Sequence, residues 1–161
     1  MKKSAFVTIG ALVAFAAVNT ASAQSATQTV TFQVTAINQI AVTGTPSLVI
    51  NTAAAGSAPT SVTSSGNTWS VTTNQTGASI TASIPTAMPA GVTLSANLTA
   101  PAGATSTGLT ALGTTAVNVV TSITKLNASG LALAYQLDAT AAAGVVTSAT
   151  RVVTFTITGG V

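Results

Sequence analysis

Few side chains in this sequence could take part in chemistry. It contains no histidine, no cysteine and no glutamate, and its single acidic residue is Asp138. Ser122 and Lys125 match the S-x-x-K pattern, in which a lysine activates a serine nucleophile. That reaction needs both residues on one helix face and separate S-D-N and K-T-G elements, which the sequence lacks. General acid–base catalysis needs a group that titrates near the working pH. We therefore expect a protein that is not an enzyme and that holds no metal and no cofactor.

Asp138 and Arg151 form the one other pair of reactive residue types. They lie at similar separations on either side of Gly144, which reads as the centre of a loop between two strands. If that loop is symmetric, the two residues face each other across the ladder. The sequence then predicts a cross-strand ion pair worth about 0.2–1 kcal/mol. A ligand-binding pair is the alternative, and Lys125 is interpreted as a solvated charge.

The first residues have the three features of a secretory signal peptide. Lys2 and Lys3 precede an apolar run over residues 5–18, and Ala21-Ser22-Ala23 supplies small residues before Gln24. The run is shorter than the roughly 20 apolar residues that a membrane anchor needs. We expect cleavage between Ala23 and Gln24, so that residues 1–23 are removed and residues 24–161 form one exported domain without a membrane span. Its location is then the periplasm, the cell surface or the medium.

Removal of the signal peptide would leave a chain with almost no charge. Lys125 and Arg151 are balanced by Asp138 alone, which gives residues 24–161 a formal charge of +1. A nucleic-acid-binding protein needs several cationic side chains to neutralise phosphates, so nucleic acid is excluded as a partner. Low net charge favours association between molecules, which makes a second copy of the chain a candidate partner.

Alternation of apolar and polar residues is the main structural signal, and it is typical of strands with one buried face. A hairpin is predicted from residues 69–84, with its turn at Asn74–Gly77, where Asn and Gly favour a tight connection. Trp69 and Tyr135 fall in register with inward-facing aliphatic residues and are predicted to lie in the core. Further strands are predicted over residues 29–34, 92–98, 116–123, 131–137 and 153–158. The fold class is therefore an all-β antiparallel β-sandwich of about seven to nine strands, immunoglobulin-like or jelly-roll-like.

The two ends of the exported part resemble each other. Val30, Phe32 and Val34 alternate with polar residues much as Val153, Phe155 and Ile157 do. One interpretation is two strands of the same sandwich with the same pattern of inward and outward residues. The other is strand exchange, in which Val30, Phe32 and Val34 leave their own sheet and fill the matching position in a neighbouring molecule.

The signal peptide, the Thr- and Ser-rich strands, the Thr68–Thr72 strand around Trp69 and the closing 151–158 strand together resemble small secreted bacterial surface proteins of the fimbrial-subunit or WxL type. The chain differs from chaperone–usher fimbrial subunits in having no cysteine pair, and from WxL proteins in having a single Trp motif. The resemblance implies a non-enzymatic structural or surface protein, such as a self-associating pilus or matrix subunit, with itself or other surface components as partner. The alternative is a secreted binding or adhesion module that recognises its ligand through the loops over residues 52–67 and 100–113.

Overall fold

The computed structural model describes residues 22–161, and within them it is built from β-strands without an α-helix. Eight strands form one antiparallel sheet, which confirms the predicted all-β antiparallel fold. A short 3-10 turn, Ala141–Ala143, follows the longest strand. The strands are β1 Asn38–Thr43, β2 Val62–Thr63, β3 Asn67–Ser83, β4 Val92–Leu98, β5 Thr105–Ser106, β6 Thr110–Ala111, β7 Val117–Ala139 and β8 Thr154–Thr158.

Two unusually long strands, β3 and β7, make the centre of the sheet. They have 17 and 23 residues, and 23 residues would extend about 76 Å if straight. The diameter of a domain of this size is about half that length, so both strands must bend. The bend lies where the pairing between them shifts, over Thr73–Ala78 of β3 opposite Ile123–Leu126 of β7. Left-handed backbone at Gly77, Ser122 and Lys125 accommodates it, as expected for β-bulges.

The bend allows both halves of β3 to bury the same side of the sheet. Before it, the buried residues are Trp69, Val71 and Thr73, and after it they are Ala78, Ile80 and Ala82. Side chains of a strand alternate between faces. The bulged residues in the bend therefore shift the inward-facing positions from odd to even numbers. The bent sheet encloses one hydrophobic core, which is a sandwich-like arrangement.

Shorter strands complete both edges of this central pair. β1 and β8 both pair with β3, β1 before the bend and β8 after it. β4 pairs with the last part of β7, and β6 lies on the outer side of β4. β2 and β5 each add two residues of pairing to β7.

Trp69 and Tyr135 lie in the core, as predicted. Trp69 is 1% exposed, and its indole Nε1 donates a hydrogen bond to the carbonyl oxygen of Thr99 at 3.2 Å. The surrounding residues are aliphatic, with Ile80, Leu98 and Ile123 fully buried. Burial of this kind contributes about 1.5–3 kcal/mol for each large side chain.

The predicted hairpin at Asn74–Gly77 is wrong, because β3 continues through it. β7 offers a partner on both sides of this point, so the turn residues bend one strand instead of reversing the chain. For the same reason the predicted strands at 116–123 and 131–137 are halves of β7. The predicted loop over residues 100–113 contains β5 and β6.

The predicted strand over residues 29–34 is also absent from the sheet. Residues 22–37 belong to no strand, and the first strand is β1. The chain divides into two units, Met1–Gln33 and Val34–Val161, and every strand belongs to the second. Of the first unit the structure describes residues 22–33, which are exposed throughout.

Candidate functional site

The N-terminal segment, residues 24–35, carries the three residues predicted to exchange strands, and all three side chains are exposed. Phe32 is 90% exposed, and Val30 and Val34 are 72% and 78% exposed. Large apolar side chains are most often buried, and apolar residues at alternate positions are typical of a strand. Here they lie outside the described sheet. The segment also carries no charged residue. It is therefore chemically suited to pairing with an apolar surface.

Asn74, at the bend of β3, holds the point where this segment enters the β unit. Its side-chain Nδ2 donates to the carbonyl oxygen of Thr35 at 2.7 Å, and its Oδ1 accepts from the backbone N–H of Ile37 at 2.8 Å. Its own backbone N–H donates to the carbonyl oxygen of Ile37 at 3.2 Å. Three hydrogen bonds thus fix residues 35–37 beside the bend.

An apolar groove of about 1100 Å³ opens in the β unit. Its floor includes Leu94, Tyr135 and Leu137, on β4 and the end of β7. Leu94 and Tyr135 are also members of the hydrophobic core, so the groove reaches the core itself. Two segments outside the sheet form its walls, residues 46–53 and residues 143–153.

The backbone of both walls is largely unpaired. Among the described residues, no backbone–backbone hydrogen bond involves residues 45–51 or residues 145–151. The walls also expose apolar side chains, with Val145 99% exposed and Val49 65% exposed. Backbone N–H and C=O groups need partners when they are buried. The walls therefore offer free hydrogen-bonding groups beside an apolar floor.

The floor of the groove is held by hydrogen bonds from Ser64. The backbone N–H of Ser64 donates to the carbonyl oxygen of Tyr135 at 2.8 Å, and the Ser64 Oγ accepts from the Tyr135 N–H at 3.0 Å. The Ser64 Oγ is also 3.0 Å from the Nδ2 of buried Asn67, which donates to it. Burial raises the pKa of the Tyr135 phenol above its usual range, because the apolar surroundings disfavour the phenolate.

The predicted cross-strand position of Asp138 and Arg151 is wrong, because β8 pairs with β3 and not with β7. Asp138 lies on β7 and accepts hydrogen bonds from Ser61 and from Gln136, whose Nε2 is 3.0 Å from Oδ1. Arg151 lies on a wall of the groove and donates to the carbonyl oxygens of Ala87 and Thr150, at 3.1 Å and 2.8 Å. Each residue is therefore satisfied by other partners.

Ser122 and Lys125 lie on β7 and not on the helix that S-x-x-K chemistry requires. They are the two non-glycine residues with positive φ, at 61° and 39°, in the part of the chain that the structure describes. Both side chains are exposed. Their unusual backbone is explained by the bend of β7 and the shifted pairing with β3.

Ala23 and Gln24, the predicted cleavage position, are exposed and belong to no strand. The predicted signal peptide otherwise lies outside the described residues, apart from Ser22. Within residues 22–161 no three His, Cys, Asp or Glu side chains form a group that could hold a metal ion. No helix in the same range is long and apolar enough to cross a membrane.

No protein-family model, curated protein or solved structure matches this chain.

Sequence reasoning missed Asn74 as an anchor and missed the groove. Asn74 was assigned to a turn because Asn-x-x-Gly is typical of one, although its side chain bonds residues 35–37. The wall at 46–53 begins with Pro46, which has no backbone N–H to give to a ladder, and this was the available signal for a segment outside the sheet. The wall at 143–153 carries no comparable signal.

Proposed function

We propose that this protein is an exported, non-enzymatic structural subunit that assembles with copies of itself, in a pilus or a surface matrix. The exposed N-terminal segment carries the proposal. Three alternate apolar side chains, Val30, Phe32 and Val34, remain outside the sheet that the rest of the chain forms. Burial of each of these side chains against a second molecule would lower the free energy of the assembly.

The alternation also indicates how the segment would bind. A strand added to a sheet forms main-chain hydrogen bonds along its length, and alternate side chains enter pockets on one face. The polar residues between the three apolar ones, Thr29, Thr31 and Gln33, would then face solvent. The segment has the pattern of a strand but pairs with no strand within residues 22–161.

The charge of the protein is compatible with assembly. The described residues contain one Asp, one Lys and one Arg, so two copies repel each other only weakly. Many proteins protect exposed strand edges with lysine or other charges, which prevent edge-to-edge pairing. Residues 45–51, most of which belong to the groove wall at 46–53, contain no charged residue.

The test compares the exported chain, residues 24–161, with a variant of the same length in which Val30, Phe32 and Val34 are all replaced by Ser. The control replaces the alternate positions, Thr29→Ser, Thr31→Ser and Gln33→Ser. Light scattering and negative-stain microscopy over a range of concentrations report assembly. We expect the wild type and the control to form filaments or large oligomers, and the apolar-to-Ser variant to stay monomeric.

Two results would contradict the proposal. Assembly of the apolar-to-Ser variant at wild-type concentrations would show that the N-terminal segment does not join the copies. A wild-type chain that stays monomeric at high concentration would favour the soluble binding module, whose loops over residues 52–67 and 100–113 would then be replaced and tested for ligand binding.

A further inference from the structure

We infer that the groove between residues 46–53 and 143–153 receives the N-terminal segment of a second copy of this chain. The inference rests on the proposed function, and it adds where on the neighbouring molecule the segment binds. Two core residues, Leu94 and Tyr135, line the groove beside the half-buried Leu137. An inserted strand would cover Leu94, Tyr135 and Leu137.

The walls supply what an added strand needs for its backbone. Residues 45–51 and 145–151 make no backbone–backbone hydrogen bond within the described chain, so most of their N–H and C=O groups can pair; the exceptions are Pro46, which has no N–H, and Thr150, whose carbonyl oxygen accepts from Arg151. A strand between them could form hydrogen bonds on one or both sides while its apolar side chains point to the floor. A flat exposed surface would offer neither unpaired backbone groups beside the strand nor an apolar floor beneath it.

The groove is large enough for a peptide segment. The groove volume of about 1100 Å³ is above the 300–1,000 Å³ that is usual for small-ligand pockets. Eight residues in a strand, such as 28–35, span about 26 Å, and the wall segment 46–53 also has eight residues. The occupant and the wall therefore have similar lengths.

The chemistry of the two surfaces also agrees. The floor and walls are lined mainly by aliphatic residues, and Arg151 is the one charged residue among them, with its guanidinium bonded to two carbonyl oxygens. The segment 24–35 is uncharged, so inserting it buries no unpaired charge. Phe32 is its largest side chain and would contact the apolar floor.

The occupant comes from a second molecule because the covalent chain limits the reach of the first. Asn74 fixes Thr35 beside the bend, and Phe32 is three residues away, which allows it to move about 10 Å from there. β1 alone is six residues, about 20 Å, and the wall at 46–53 begins beyond its far end. The covalent connection to Thr35 therefore restrains Phe32 from entering the groove of its own chain, and a second copy has no such restraint.

One segment and one groove per molecule give a head-to-tail contact. Such a contact is heterologous, because different surfaces of the two copies meet, and it continues into an open filament unless the rotation closes a ring. The inference therefore predicts filaments or rings, and not isolated dimers related by a two-fold axis.

The first experiment maps the contact directly. Phe32 of the full exported chain is replaced by the photoreactive analogue benzoylphenylalanine, which keeps an aromatic ring at this position, and the assembled protein is irradiated. Mass spectrometry is expected to find the adduct between two copies on groove residues, with Met88, Leu94, Tyr135 and Leu137 as the expected sites. Adducts confined to the free edges of β1, β8 or β6 would overturn the inference while leaving self-association intact.

The second experiment separates the groove from the segment. A peptide of residues 24–35 is titrated into full-length chain whose own Val30, Phe32 and Val34 are Ser, and fluorescence anisotropy measures binding. Val146→Arg, which places a charge on the groove wall, is expected to weaken binding at least tenfold. Leu109→Arg is the matched control, because Leu109 is outside the groove and similarly exposed, at 49% against 44% for Val146.

The outcomes distinguish this inference from the proposed function. Equal peptide binding by the two Arg variants would show that the segment binds elsewhere, so the groove assignment would be wrong although the subunits still associate. If the peptide does not bind and the wild-type chain is also monomeric, the proposed function is wrong and the inference falls with it. Loss of binding in Val146→Arg alone supports both.

Discussion

Replacing Phe32 by Ala should weaken assembly strongly and leave the stability of the single molecule unchanged. The Phe32 side chain is 90% exposed, so its removal takes almost no contact from the folded chain. Surface substitutions of this kind usually change the free energy of unfolding by less than about 0.5 kcal/mol. If assembly buries the ring, the same change removes about 1.5–3 kcal/mol from each contact between copies.

That loss can be measured as a concentration. Each 1.4 kcal/mol corresponds to a factor of ten, so the concentration at which assembly begins should rise about 10- to 150-fold. Light scattering across a dilution series gives this concentration, and thermal unfolding of dilute monomer gives the stability. Thr31→Ala is the control, since it lies one residue away and on the opposite face of the expected strand.

Two results would refute the reasoning behind this prediction. If Phe32→Ala and Thr31→Ala assemble at the same concentration, the Phe32 ring is not buried between copies. If Phe32→Ala instead lowers the stability of the monomer by several kcal/mol, the ring is packed within its own chain, and the segment is not free to bind a neighbour.

Four further predictions follow from particular contacts and charges. Asn74→Ala should lower the free energy of unfolding by about 1–3 kcal/mol in urea titrations, because its side chain makes two hydrogen bonds to residues 35–37. Gly160→Ala should cost about 1–3 kcal/mol more than Gly103→Ala; both glycines have positive φ, but only at Gly160 would a Cβ meet another side chain, 2.4 Å from the Cβ of Gln75. Stability should fall as pH rises above about 10, because the folded state holds the Tyr135 proton more tightly than the unfolded state does, and the Tyr135→Phe variant should lose this part of the pH dependence. Assembly should change little between low and high NaCl concentrations, since apolar burial and not ion pairing drives it; dissociation of filaments by NaCl would contradict this.

Much of the fold was predictable because period-2 alternation depends on local residue types. The sequence located β4 and β8 closely, and it placed Trp69 and Tyr135 in the core. It also indicated both halves of β3 and β7. What it could not indicate is that each pair of halves is one strand, because a bulge and a hairpin turn use the same residue types, Asn and Gly.

The candidate site was harder to predict for a related reason. The pattern of Val30, Phe32 and Val34 identified a strand-forming segment but could not say whether its partner is in the same chain. The groove depends on which backbone groups stay unpaired, and pairing is a long-range property of the folded sheet. The cross-strand pairing of Asp138 with Arg151 failed on the same point, since the strand after Gly144 pairs with β3 and not with the strand before it.

The bend in β3 connects the fold to its proposed use. It directs both halves of the strand to one core, and the side chain of Asn74, within the bend, also fixes the end of the N-terminal segment at Thr35. β1, about 20 Å long, separates Thr35 along the chain from the groove wall at 46–53. Under the proposed function, the segment of one copy and the groove of the next are the two surfaces that meet.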